Sequence, residues 1–258
     1  MIKLAKVFGI TGNVFEPEYS QPEYPTFQIG SKDGSGPSAT INGSGTGSWW
    51  FNDPSAYPSP KCLESATSDD GSDYCTVYEE QKSTPGLIPS REKVIAAAIE
   101  MFNATGLKVS ASEIRADVSE WGASASASLK IDGADTPIEW YMSWGMNGKL
   151  GSVSGNSVRF EEKGNLATIS AKASVARMSD WRYSGQLASS IWNKYAPPAR
   201  AGEPDMIAYD APLEVGESTQ PEATPKPIVV TVNEAHAVSV LIWDKDGNAW
   251  LVPGYVLI

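Results

Sequence analysis

Apolar residues recur at helical spacing most clearly between Ser90 and Thr105, where Val94, Ile95, Ala98, Ile99 and Phe102 share one face of a 3.6-residue repeat. Pro89 and Ser90 supply a start signal and Gly106 a stop, so the pattern predicts a helix here. Downstream the period changes to two. Strands are predicted around Ser112–Ser119 and over Ser124–Ile131, where Ala125, Leu129 and Ile131 alternate with Ser124, Ser128 and Lys130, as in a half-buried sheet. Asp132-Gly133 offers a turn into Ile138–Trp144, and Asn147-Gly148 a second into Leu150–Phe160. Both dipeptides suit the positive φ of tight hairpins.

The first ninety residues carry a shorter version of the same plan: a helix at Ile2–Phe8, then strands near Phe27–Gly30, Ser38–Asn42 and Ser48–Asn52. Gly43–Gly47 has no phosphate-loop ending and reads as a flexible hairpin turn. A third segment has a helix at about Ser170–Met178, then strands at Ile228–Val232, Ala237–Trp243 and Ala249–Tyr255, with an Asp246-Gly247 turn. Phe8-Gly9-Ile10-Thr11-Gly12 aligns with Phe102-Asn103-Ala104-Thr105-Gly106, each where a helix gives way to strands, which suggests a duplication. The fold class predicted is α+β, built from repeated helix plus antiparallel β-meander units, two or three of them sharing a core. Their boundaries fall at residues 1–89, 90–165 and 166–258. Asn52–Pro89 and the proline-rich Gly216–Pro227 read as connectors.

Composition narrows what such a fold can do. The 258 residues are 41% apolar and include nine Trp, ten Tyr and six Phe, enough to build a core and exclude wholesale disorder. A net charge of -11 opposes any grip on nucleic acid or anionic lipid. No apolar run approaches the ~18 residues that span a bilayer. The two cysteines, Cys62 and Cys75, flank a polar loop that lacks any apolar pattern and needs a tether. A disulfide between them stabilises by about 3 kcal/mol and requires an oxidising compartment.

Catalytic and metal chemistry find little support. The single histidine, His236, has no Gly-x-Ser-x-Gly elbow to serve, and the pairs Glu79-Glu80 and Glu161-Glu162 point to opposite faces of extended backbone. An envelope hydrolase needs two convergent carboxylates, and no spacing singles them out. Asp244-Lys245-Asp246-Gly247-Asn248 alternates oxygen ligands but lacks a calcium loop's closing Glu, so it reads as a turn; Ser68–Asp73 reads as a solvated loop. No catalytic residue, metal ligand or cofactor is assigned. The aromatic residues are the candidates for binding. Trp140, Met142 and Trp144 share one strand face and Tyr141 takes the other, while the consecutive Trp49 and Trp50 must oppose each other, exposing one. Trp49, Trp50, Trp140 and Trp144 are therefore the candidate ligand-binding residues.

The helix-then-meander plan resembles the PepSY-like units of extracytoplasmic domains in membrane-tethered regulators. More specifically, Leu4-Ala5-Lys6-Val7-Phe8-Gly9 with Thr11-Gly12, Gly47-Ser48-Trp49-Trp50-Phe51, Ile169-Ser170-Ala171-Lys172 before Val175-Ala176-Arg177, and Trp250-Leu251-Val252-Pro253-Gly254-Tyr255 resemble the ectodomains of membrane-anchored actinobacterial proteins. The resemblance implies a cell-surface location behind an N-terminal transmembrane helix, and Met1 leading at once into the amphipathic Ile2–Ile10 fits an upstream anchor. It carries no defined activity. The expectation is a non-catalytic interaction or regulatory module for a protein or peptide of the cell envelope. The alternative is a carbohydrate or cell-envelope polysaccharide module using an exposed Trp.

Overall fold

The computed structural model of the protein describes residues 1–83, 86–164, 167–195 and 231–258. Helix α1 (Ile2–Phe8) precedes an antiparallel meander of β1 (Thr26–Gly30), β2 (Ser38–Asn42) and β3 (Ser48–Asn52). A hairpin of β4 (Cys62–Thr67) and β5 (Asp73–Tyr78) follows, then α2 (Arg91–Thr105) and a second meander of β6 (Arg115–Ser119), β7 (Gly122–Ile131), β8 (Ala134–Trp144) and β9 (Leu150–Asn156). Short helices α3 (Ala171–Val175) and α4 (Ser189–Tyr195) lead to a final hairpin of β10 (Ala235–Trp243) and β11 (Ala249–Leu257).

The fold is mixed α+β and antiparallel, as the periodicity predicts. The two meanders join edge to edge: β3 pairs antiparallel with β9, giving one seven-stranded sheet in the order β1-β2-β3-β9-β8-β7-β6. This sheet crosses the boundary drawn at residue 89. Local chemistry accounts for several elements. The Ser90 hydroxyl caps α2 by accepting from the Lys93 amide. Asp132 and Gly133 both have positive φ, 51° and 80°, as a two-residue turn between β7 and β8 demands.

Both helices lie on the same side of the sheet. Leu4 of α1 and Val94, Ala98 and Phe102 of α2 share one core with Trp49, Phe51, Trp140, Met142, Trp144 and Val153. Ala123, Ala125 and Ala127 face this core from β7, so α2 can lie close against the strand. The Phe8 ring stacks on Phe51 at 4.3 Å between centroids and extends the layer to α1. The β10–β11 hairpin closes one end, with Leu241 in the same core and a two-way backbone bridge to Gln186.

Several elements differ from expectation. The segment read as a plain connector holds the β4–β5 hairpin, which the pattern conceals because both of its faces are solvent-exposed. Within it Cys62 and Cys75 form a disulfide. The helix expected to Met178 spans only Ala171–Val175, and the strand expected to Phe160 stops at Asn156. Gly43–Gly47 is anchored: the Thr46 hydroxyl donates to the Asn156 side chain at 2.7 Å. The Gly216–Pro227 connector and Ile228–Val230 of the expected strand lie outside the described residues, and Thr231 and Val232 are not in a strand.

Candidate functional site

Register aligns the side chains of the seven strands into rows, and alternate rows go to opposite faces. On the helix-covered face one row reads Ile29, Ala39, Phe51, Val153, Met142, Ala125 and Ala116 from edge to edge. The next row on the other face reads Gln28, Thr40, Trp50, Ser154, Tyr141, Ser126 and Arg115. Beside it runs Ser38, Asn52, Ser152, Ser143, Ser124 and Asp117. Hydroxyls and amides tile this second face, and Trp50 and Tyr141 are the two aromatic residues in its rows.

These two aromatic side chains are 39% and 42% exposed. They sit on either side of Ser154, two strands apart, hence roughly 10 Å apart at the backbone. Around Trp50 the surface dips into a hollow of about 660 Å³, lined by Tyr19, Gln28, Thr40, Asn52, Ser152 and Ser154 and by the charged Lys32 and Asp33. The Ser31 and Ser35 hydroxyls donate to Asp33 and hold its carboxyl well below the ordinary aspartate range. Tyr57 lies across Gly151, where even a methyl group would collide with its ring, and its hydroxyl meets Ser143 at 2.6 Å. Ser143 in turn meets Ser152 at 2.8 Å, so the hydroxyl lattice is held in register.

At the far side of the face Arg115 bridges two carboxylates, at 3.1 Å to Glu139 and 3.8 Å to Asp135. Ser128 and the Ser189 N–H and hydroxyl also donate to Glu139, and Ser190 donates to Asp135. This network fastens α4 onto the polar face. Glu139 accepts through both of its oxygens and Asp135 through Oδ2.

Of the four tryptophans singled out by sequence, Trp50 alone is exposed. Trp49, Trp140 and Trp144 are core residues at 1%, 2% and 9% exposure, because each falls on the helix-covered side of the pleat. Trp49 and Trp140 flank Gly155. A Cβ there would lie 2.4 Å from the Trp140 Nε1 and 2.6 Å from the Trp49 ring. Both indole N–H groups are buried without an acceptor among the described residues, so these rings contribute volume to the core. Tyr141 was legible as the opposite-face neighbour of Trp140. Tyr19 carries no pattern signal, since it precedes the first strand.

Other sequence candidates have structural partners. His236 stacks on Tyr195 at 4.5 Å between centroids and contacts the Glu234 carboxylate at 3.0 Å. Asp244 closes the β10–β11 turn: its carboxylate accepts from the Trp250 indole at 2.8 Å, the Asn248 side chain and the Asn248 and Asp246 amides, which lower its pKa to about 2. Among the described residues no cluster of three metal-ligating side chains exists, and no helix is long and apolar enough to cross a membrane. The disulfide fits an oxidising, extracytoplasmic setting. No protein-family model, curated protein or solved structure matches the chain.

Proposed function

We propose that the protein is an extracytoplasmic binding domain that holds a neutral polysaccharide of the cell envelope against the polar face of its sheet. The observation that carries this reading is the row Gln28–Thr40–Trp50–Ser154–Tyr141–Ser126. It sets two exposed aromatic faces two strands apart on a bed of hydroxyls and amides. Sugars present apolar C–H faces that stack on aromatic rings, and rims of hydroxyls that exchange hydrogen bonds with Ser, Thr, Asn and Gln. A ligand without charge suits a chain of net charge -11, and Arg115 is already engaged by Glu139 and Asp135. Affinity electrophoresis through gels containing neutral polysaccharides tests the reading. The wild type is retarded by at least one polymer and Trp50→Ala is not; equal retardation of the two contradicts it.

A second reading, docking of a protein or peptide, is favoured by the β4–β5 hairpin. Leu63, Tyr74, Val77 and Tyr78 are all exposed there on an arm that packs little against the sheet. The same proposal places the domain at the cell surface behind an N-terminal transmembrane anchor, and treats α1 with β1–β3 and α2 with β6–β9 as PepSY-like repeats. Support for the repeat is the matched order of elements and the left-handed glycine, Gly9 or Gly106, that ends each helix.

A further inference from the structure

Helix α4, tied by its first turn to the polar face, carries one more exposed aromatic ring. The Ser189 and Ser190 bonds to Glu139 and Asp135 hold its first turn on β8, and Glu139 lies two residues along β8 from Tyr141 on the same side of the pleat. Trp192, one turn further on, is 62% exposed. It lines a hollow of about 440 Å³ together with Gln186, Leu187, Ser189 and Asn193. Like the hollow around Trp50 it offers an indole, side-chain amides and a hydroxyl, but it has no counterpart to Lys32, Asp33 or Tyr19. No sequence periodicity marks it, because α4 is only seven residues long.

We infer that the Trp192 hollow is a second sugar subsite, which extends the binding surface of Trp50 and Tyr141 and takes a distal residue of the same neutral polysaccharide. This inference rests on the polysaccharide reading and adds to it a minimum ligand length. A chain long enough to lie over Trp50 and Tyr141 and continue past Glu139 reaches Trp192; a disaccharide on Trp50 does not. Ser189 is committed to Glu139, so Trp192 supplies the stacking face and Gln186 and Asn193 the polar contacts.

Isothermal titration of disaccharides and hexasaccharides cut from a retarding polymer separates the two ideas. Trp192→Ala weakens the hexasaccharide about tenfold and leaves the disaccharide unchanged, whereas Trp50→Ala weakens both. Trp192→Phe, which keeps an aromatic face, retains most of the hexasaccharide affinity and guards against a folding defect in the alanine variant. If Trp192→Ala leaves the hexasaccharide unchanged, or weakens both ligands equally, the second subsite is refuted while the polysaccharide reading stands. If Trp50→Ala has no effect on either ligand, that reading falls and the subsite with it.

Discussion

The two faces of the seven-stranded sheet are made by the same strands in the same register, and they differ in almost every other respect. One face carries Trp49, Phe51, Trp140, Met142 and Val153 under two helices; the other carries the exposed Trp50 and Tyr141 on a lattice of half-buried Ser, Asn and Gln in which Thr40 and Ser143 are buried. Trp49 and Trp50 are covalent neighbours, yet one is 1% exposed and the other 39%. The pleat alone causes that division. An aromatic ring on the first face stabilises the fold by removing its surface from water, and an aromatic ring on the second leaves that area available to a ligand. Substitutions that respect this division alter stability on one side and binding on the other.

The largest effect is expected for Trp140→Ala, which empties a large buried volume on the helix-covered face and costs about 3–5 kcal/mol in denaturant unfolding. Replacing both Cys62 and Cys75 by Ser removes about 3 kcal/mol of chain constraint. That loss is confined to the arm: amide exchange quickens over residues 61–79 while the sheet stays protected. Gly155→Ala adds a single methyl between two indoles and costs about 1–3 kcal/mol, with the Trp49 and Trp140 rings displaced. Trp50→Ala costs about 1 kcal/mol, less than Trp140→Ala, since its ring is 39% exposed where that of Trp140 is 2% exposed, and its main effect belongs to binding. If Trp50→Ala were as costly as Trp140→Ala, the division between the faces would be lost.

The smallest effect concerns the β10–β11 turn. The folded pKa of Asp244 lies at about 2, below the unfolded value, so its contribution is fully present at neutral pH. It declines as pH falls below the ordinary aspartate range and is gone once pH passes below about 2. Following the Trp250 indole N–H resonance through acid titration checks this. In Asp244→Asn the acid-dependent change disappears.

Periodicity captured α1, α2 and the strands of the large sheet locally and failed where distant segments meet. The helix at Arg91–Thr105 is legible because its apolar residues and its Ser90 and Gly106 boundaries agree. The opposition of Trp49 and Trp50 follows from a period of two. What a period of two does not specify is which strand lies next door. The β3–β9 pairing joins residues about a hundred positions apart, so the row through Trp50, Ser154 and Tyr141 has no local signature. Trp140 and Trp144 were legible as sharing a face, but which face α2 covers is settled by tertiary packing. The arm escaped notice for the opposite reason: Cys62–Tyr78 has no buried face, so no alternation marks it.

An amide chemical-shift map recorded during titration with a retarding oligosaccharide tests the central claim most directly. Shifts concentrated at Thr40, Trp50, Ser154, Tyr141 and Ser126, with α1 and α2 unmoved, are the predicted result. Shifts that instead gather on the β4–β5 arm or on the helices, with the Trp50 row silent, would contradict it.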